Sequence, residues 1–272
     1  MNALDISTAR SFLFVPGNRP DRFPKAAASG ADVVILDLED AVAQPDKEHA
    51  RDAVRRWLDA GHQAVVRVNA PHTPWYDSDL HAVHERALAV MVPKAEDHRL
   101  LEEAGAFLGQ GVPLIPLIET ALGVRRAEDI CRVPSVLRPA FGSVDLSAQL
   151  RVDHRSHEAL RHARSELVLA AAAADCIAPI DGVTTTLTSP TLLDDDLRHA
   201  AELGFSAKLC VHPGQVTAAN SAFTPSPEAI AWAQAVLEAC KDGGATSHGG
   251  EMLDHALVER ARTTIARAGR PL

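Results

Sequence analysis

Glu119 and Asp145 are the residues whose types and placement first suggest chemistry. Glu119 stands directly against the apolar run Pro116-Leu117-Ile118, and Asp145 follows Phe141-Gly142-Ser143-Val144. Two carboxylates, completed by water and substrate oxygens, are the usual protein share of a Mg²⁺ site. No His or Cys pair stands in register with them, which argues against zinc. Taken alone, such a pair is more often two surface acids. Arg67 ends a third run, Val65-Val66-Arg67-Val68-Asn69. A guanidinium there suits an enolate oxygen or a carboxylate held at two points. It equally suits an ion pair with Asp37 or Asp40, from the run Asp37-Leu38-Glu39-Asp40. Both readings hold together if the partner fixes the arginine.

The first such loop is basic: Pro16-Gly17-Asn18-Arg19-Pro20-Asp21-Arg22-Phe23-Pro24-Lys25. Pro20 suits a first helical position. Arg19, Arg22 and Lys25 would then crowd the positive end of a helix, a conflict that an anionic ligand relieves. A solvated basic turn explains the loop as well. Lys94 and Glu96 follow a fourth run. His81 with His84, and His154 with His157, have an i, i+3 spacing on polar stretches, a weak metal signal. His212 precedes Pro213 and reads best as a cap or structural residue.

These residues need a frame that gathers strand ends. Strands are expected at Ser11–Val15, Val33–Leu36, Ala64–Val68, Ala89–Val92, Pro113–Ile118, Pro139–Gly142, Cys176–Ile180 and Ala207–Val211. Helical stretches lie between them, at Pro45–Leu58, Ser78–Leu88, Glu96–Phe107, His157–Ala174 and Leu192–Leu203. Alternating strands and helices imply an α/β protein with a parallel sheet. Eight units imply a closed (β/α)₈ TIM barrel, with chemistry at the C-terminal strand ends. A doubly wound sheet is the alternative, but no G-x-G-x-x-G follows the first strand. The barrel is expected over 1–225 and a C-terminal helical extension over 226–272. In that extension Ser226 is a candidate N-cap with Pro227 at the first helical position. A last helix is expected near Asp254–Arg267, after a Gly-rich linker at Gly243–Gly250.

The bulk numbers agree with one such domain. The chain has 272 residues, 46% of them hydrophobic and 23% charged. Aromatics make up 4%, so the core rests on Ala, Val, Leu and Ile. A net charge of −9 argues against a broad nucleic-acid face. The four cysteines form no C-x-x-C pair, as expected of free thiols in a cytoplasmic protein. No signal core opens the sequence, and no run approaches the ~18 apolar residues of a membrane span.

Taken together, the segments resemble the citrate lyase β-subunit-like family of the HpcH/HpaI aldolase superfamily. They are Leu13-Phe14-Val15-Pro16-Gly17-Asn18-Arg19, Ile35 to Val42, Val66-Arg67-Val68-Asn69, Pro93-Lys94, and Pro116 to Thr120. Phe141 to Leu146, Ala163-Arg164-Ser165, Gly204 to Pro213, and Gly250 to Asp254 continue the series. The resemblance implies a Mg²⁺-dependent lyase that cleaves a 3-hydroxyacyl-CoA such as citryl-, malyl- or citramalyl-CoA. Glu119 and Asp145 match the family's metal ligands, and Arg67 its catalytic arginine. Arg19 and Lys25 match the region that meets the CoA phosphates. The expected substrate contacts are Arg67, Glu119, Gly142 and Asp40. Asp254 matches a catalytic acid carried on a C-terminal lid to a neighbouring subunit, so a homo-oligomer, often a trimer, is expected. Val144, the run Ser147-Ala148-Gln149-Leu150, Thr188-Ser189-Pro190 and Ala256 depart from the family pattern and leave the substrate open. Two other enzymes fit the residues: a pyruvate-type class II aldolase on free hydroxy-keto acids, and a lyase subunit acting on an acyl-carrier protein in a complex. The basic first loop favours a CoA ester over free acids.

Overall fold

The computed structural model describes residues 6–109, 111–240, 247–248, 251–252 and 255–268. Eight parallel strands close into a barrel in sequence order. They are β1 (Ser11–Pro16), β2 (Val33–Asp37), β3 (Val65–Arg67), β4 (Ala89–Val92), β5 (Leu114–Ile118), β6 (Ala140–Phe141), β7 (Ile180–Asp181) and β8 (Ala207–Cys210). Closure comes from β1 against β8, with Ser11 opposite Lys208 and Leu13 opposite Cys210. The (β/α)₈ architecture expected from the alternation is the one observed.

The strand sequences explain the closure. Every residue of β4 and β5 is buried, because parallel strands in this fold are covered on both faces. Successive side chains still point opposite ways. Phe12, Ile35, Val65, Met91 and Ile115 belong to the inner cluster that fills the barrel. Leu13, Leu36, Val66, Val90 and Leu114 belong to the larger layer between strands and helices. Few aromatics are needed, since aliphatic side chains fill both layers.

Arg138 closes the bottom. It is fully buried and donates from Nη1 to Ala9 O at 3.1 Å and from Nη2 to Ala178 O at 2.6 Å and Ser206 Oγ at 2.7 Å. Burial pushes its guanidinium down to about 9. Its bonds tie the start of the chain to the segments that enter β7 and β8.

The seventh strand differs from expectation. It begins at Ile180, not Cys176. Asp175 turns left-handed at φ 54°, and Cys176 N bonds back to Ala171 O at 2.9 Å. Those residues finish the helix His157–Ala173, and Pro179 has no N–H to offer a ladder. Ile180 fills the barrel interior, so Asp181 beside it is buried in the layer between strand and helix and not at the mouth. Its two oxygens accept from Arg164 Nε at 2.9 Å and Lys208 Nζ at 2.6 Å. Those two cations hold its carboxyl at about 2 against the opposing effect of burial.

Beyond the barrel, Ser226 Oγ accepts from Ala229 N at 3.2 Å and caps the helix Pro227–Ala239. That helix packs on His255–Ala268 through Ala233, Val236 and Ala261, a cluster apart from the barrel core. Asp254 lies outside the described residues, as does most of 243–250. Among the described residues no helix is long and apolar enough to cross a membrane.

Candidate active site

The site forms where β2 to β6 end. Asp37 and Arg67 are register partners on β2 and β3, so their side chains leave the barrel together. Arg67 Nε and Nη2 donate to Oδ1 and Oδ2 of Asp37, each at 2.7 Å. Asp37 is held in turn by Glu39 N at 2.9 Å and Ala41 N at 3.1 Å. The guanidinium lies over the Phe14 ring, 4.9 Å from its centroid. Its remaining nitrogen, Nη1, is 3.0 Å from Glu39 Oε2 and 3.5 Å from Asp40 Oδ2. Burial opposes its charge, but Asp37 and the other carboxylates more than offset that and raise its pKa. Arg67 is thus both ion-paired and presented to the site.

Glu119 follows β5 and is buried, 4% exposed. Gly142 makes room for it. A Cβ at Gly142 would come within 2.7 Å of Glu119 Oε2, so any side chain there would displace the carboxylate. Gly142 also opens the helix Ser143–Leu150, which carries Asp145 in its first turn, where a carboxylate is favoured. Burial pushes Glu119 up to about 7, against the pull of Lys94.

Lys94 joins the pair. It follows β4 and adopts the left-handed region at φ 49°, a conformation that costs about 1 kcal/mol for a residue with a Cβ. Its backbone N donates to Glu119 Oε1 at 2.8 Å. Its ammonium donates to Asp145 Oδ2 at 2.6 Å and lies 3.6 Å from Glu119 Oε1 and 3.7 Å from Glu39 Oε1. Burial alone would lower its pKa, but the Asp145 bond and the neighbouring carboxylates raise it.

Glu39 is buried at 6% exposure. Its Oε2 has no aligned hydrogen bond despite the close approach of Arg67 Nη1. Desolvation dominates, and its carboxyl is pushed up to about 8.

Asp37, Arg67, Glu119 and Asp145 line a cavity of about 420 Å³, with Lys94 and Glu39 behind its wall. Arg67, Glu119, Asp145, Gly142 and Asp40 all face it, so one site gathers five residues expected from the sequence. A larger cavity, about 740 Å³, opens between the helix His98–Leu108 and residues 133–137. It lies at the opposite strand ends and has Glu102 as its one ionisable lining residue, which leaves it without comparable chemistry. Arg19 and Lys25 do not line the active cavity. They sit on the exposed β1 loop, where Arg19 is paired bidentately to Asp21 at 2.9 Å. The helix expected there is a 3₁₀ turn, Pro20–Arg22, followed by Phe23–Ala27. His212 is a cap, accepting from Gly214 N at 3.0 Å.

Glu39 and Lys94 are the charged side chains beside the site that sequence reasoning passed over. Both stood at strand ends, but spacing alone gave no reason to prefer them to Asp40 or Glu96.

The donor set fits a hard divalent cation. Glu119 and Asp145 reach a single cation, the Lys94 ammonium, from two elements. Both offer oxygen only, and Glu119 is buried where a cation would stabilise its charged form. Among the described residues no group of three or more His, Cys, Asp or Glu has the geometry of a metal cage. Two carboxylates with an open remainder match Mg²⁺, which keeps waters and substrate oxygens.

The sequence profile of the HpcH/HpaI aldolase/citrate lyase family matches residues 10–213. A citrate lyase subunit beta-like protein of Mycobacterium tuberculosis is 38% identical over 266 residues, 95% of each chain. A (3S)-malyl-CoA thioesterase of Cereibacter sphaeroides is 34% identical over 269 residues, 95% of this chain and 94% of its own. A solved structure of the M. tuberculosis protein CitE, with magnesium, acetoacetate and coenzyme A, superposes with a TM-score of 0.81 at 36% identity. That match covers 97% of this chain and 100% of the other.

Proposed function

The chain belongs to the HpcH/HpaI aldolase/citrate lyase family, and on that premise we propose that it is a Mg²⁺-dependent carbon–carbon lyase cleaving a 3-hydroxy dicarboxylic or tricarboxylic acyl-CoA. Citryl-, malyl- and citramalyl-CoA are the substrates of that kind. The products are an acyl-CoA and a 2-oxo acid. The observation that carries this reading is the convergence of Glu119, Asp145 and Arg67 on one cavity.

Glu119 and Asp145 would hold the metal. Bound there, Mg²⁺ would supply a fixed positive charge for substrate oxygens. The reaction removes the 3-hydroxyl proton and breaks the bond between C2 and C3. The electron pair passes to the thioester as an enolate, and C3 becomes the carbonyl of the oxo acid. Arg67, locked by Asp37, lines the cavity and stabilises that enolate without reorganising. Gly142 lets the substrate approach Glu119, and Asp40 lies at the exposed rim. Glu39 stands behind Arg67, its Oε2 3.0 Å from Nη1, and helps fix the guanidinium. Arg19 and Lys25 are our assignment for the CoA phosphates. Asp254 is our assignment for the acid that protonates the enolate carbon, delivered from a neighbouring subunit of a homo-oligomer.

The thioesterase among the relatives supports a second reading, hydrolysis of the thioester. One experiment separates them. The purified chain is given malyl-, citramalyl- and citryl-CoA with Mg²⁺, and 2-oxo acid and free thiol are measured separately. Oxo acid without thiol is the expected result. Thiol without oxo acid would make the protein a thioesterase, and neither product would sink both readings.

A further inference from the structure

The Lys94 ammonium occupies the place where Glu119 and Asp145 converge. Its Nζ lies 2.6 Å from Asp145 Oδ2 and 3.6 Å from Glu119 Oε1. A cation bound directly to both carboxylates would sit about 2.0–2.1 Å from the same oxygens. Both positive groups cannot hold that point together. Yet Lys94 also builds the site, because its backbone N–H fixes Glu119 Oε1 at 2.8 Å. That bond restrains its backbone and leaves the butylammonium arm free to turn. The arm has somewhere to go. Lys94 lines a neighbouring cavity of about 420 Å³, whose wall carries Glu96 and Asp97 together with His72 and Arg126, the latter held on Glu96 O at 3.1 Å.

From this we infer that Lys94 is a positioning residue whose ammonium holds Asp145 and Glu119 together and yields to the divalent cation, turning into the neighbouring cavity toward Glu96 and Asp97. The inference rests on the metal reading given above. Three consequences follow from the geometry. The ammonium offsets the repulsion between carboxylates that face each other across a narrow gap. It keeps their spacing near that of a metal site. It also weakens cation binding, since its displacement from Asp145 opposes each binding event.

The sign of that last effect separates positioning by competition from ordinary structural support. A lysine that merely supported the fold would weaken metal binding when lost. A competing lysine strengthens it. The test is calorimetric titration of the full chain with MgCl₂, for wild type, Lys94→Met and Lys94→Arg, with thermal melts in EDTA and in excess Mg²⁺. Lys94→Met should bind Mg²⁺ about tenfold more tightly, an amount set by about 1.4 kcal/mol of lost competition. It should melt lower than wild type in EDTA and gain more on adding Mg²⁺. Lys94→Arg keeps the charge and should not bind more tightly than wild type. Lys94→Gln, with a polar head and no charge, replaces Met if the thioether is not accommodated. Wild-type binding with equal or weaker binding in both Lys94→Met and Lys94→Gln would overturn the inference alone. Absence of Mg²⁺ binding by wild type would take down the metal reading and the inference with it.

Discussion

Arg67 and Asp37 face each other from adjacent strands and share two parallel 2.7 Å hydrogen bonds, one from Nε and one from Nη2. The pair leaves Nη1 outside the fork, near Glu39 and Asp40, on a guanidinium that lines the active cavity. Lysine keeps the charge but cannot make the fork. Arg67→Lys should therefore lower kcat by about 100-fold, the scale of one lost oxyanion donor. KM should change far less, which steady-state kinetics on the best CoA ester will show. A pure KM effect would make Arg67 a ground-state carboxylate clamp.

The two carboxylates proposed to hold the metal differ in surroundings but should fail alike. Glu119→Gln and Asp145→Asn each remove one negative charge from a two-carboxylate set, leaving only a neutral carbonyl oxygen in its place. Calorimetry should show Mg²⁺ binding lost or weakened by at least about tenfold, while circular dichroism stays that of wild type. Undiminished affinity in both variants would overturn the assignment.

Glu39 gives a stability signature that does not need substrate. Its folded carboxyl titrates at about 8, and its ordinary value is 4.5. Between those values the native state keeps a proton that the unfolded chain has released. Stability therefore falls as pH rises through that window. Glu39→Gln removes this dependence. Melts in EDTA should show the variant gaining on wild type from about pH 5 to about pH 8, by about 2–4 °C for each kcal/mol recovered. A constant offset across that range would mean that Glu39 titrates normally.

The β1 loop tests CoA recognition. If Arg19 and Lys25 meet phosphates, the double change to Ala should raise KM for a CoA ester about tenfold or more. A pantetheine thioester, which lacks the nucleotide, should be little affected. Equal losses on both substrates would remove the phosphate role. Arg19 must first release Asp21, so Asp21→Ala alone should leave CoA affinity intact or improved.

Asp254 is tested by exchange between subunits. Asp254→Ala and Glu119→Ala should each be inactive alone. Mixed under conditions that allow exchange, they should regain part of the activity, because some oligomers then contain one complete site. No recovery despite exchange shown by mass spectrometry would exclude action across a boundary. Near-normal kcat in Asp254→Ala, with reduced stability, would make the residue a cap of the final helix.

Much of the barrel was legible because its strands are short apolar runs separated by amphipathic helices. The site was legible where an ionisable residue stood directly against such a run, as Arg67 and Glu119 do. Asp181 shows the limit of that rule. It too follows an apolar residue, yet it is buried between strand and helix against Arg164 and Lys208, because Ile180 before it takes the inward position. The role of Lys94 was not legible, since it depends on a left-handed backbone and on partners 25 and 51 residues away. Glu39 was missed for the opposite reason. It stands between two acids of the same run, and only burial separates it from Asp40.

The pairing of β1 with β8 also bears on how the protein is made. Ser11 finds its ladder partner only at Lys208, so the first strand leaves the ribosome long before its neighbour exists. At ~5–20 residues per second the wait is on the order of 10 s. Until then one edge of β1 is unpaired, and the backbone carbonyl of Ala9 lacks Arg138 for most of that time. A nascent chain in this condition exposes a sticky apolar strand, Phe12-Leu13-Phe14-Val15, to other chains. Synthesis rate and chaperone access during that interval, more than the stability of the finished barrel, should govern the yield of folded protein in a cell.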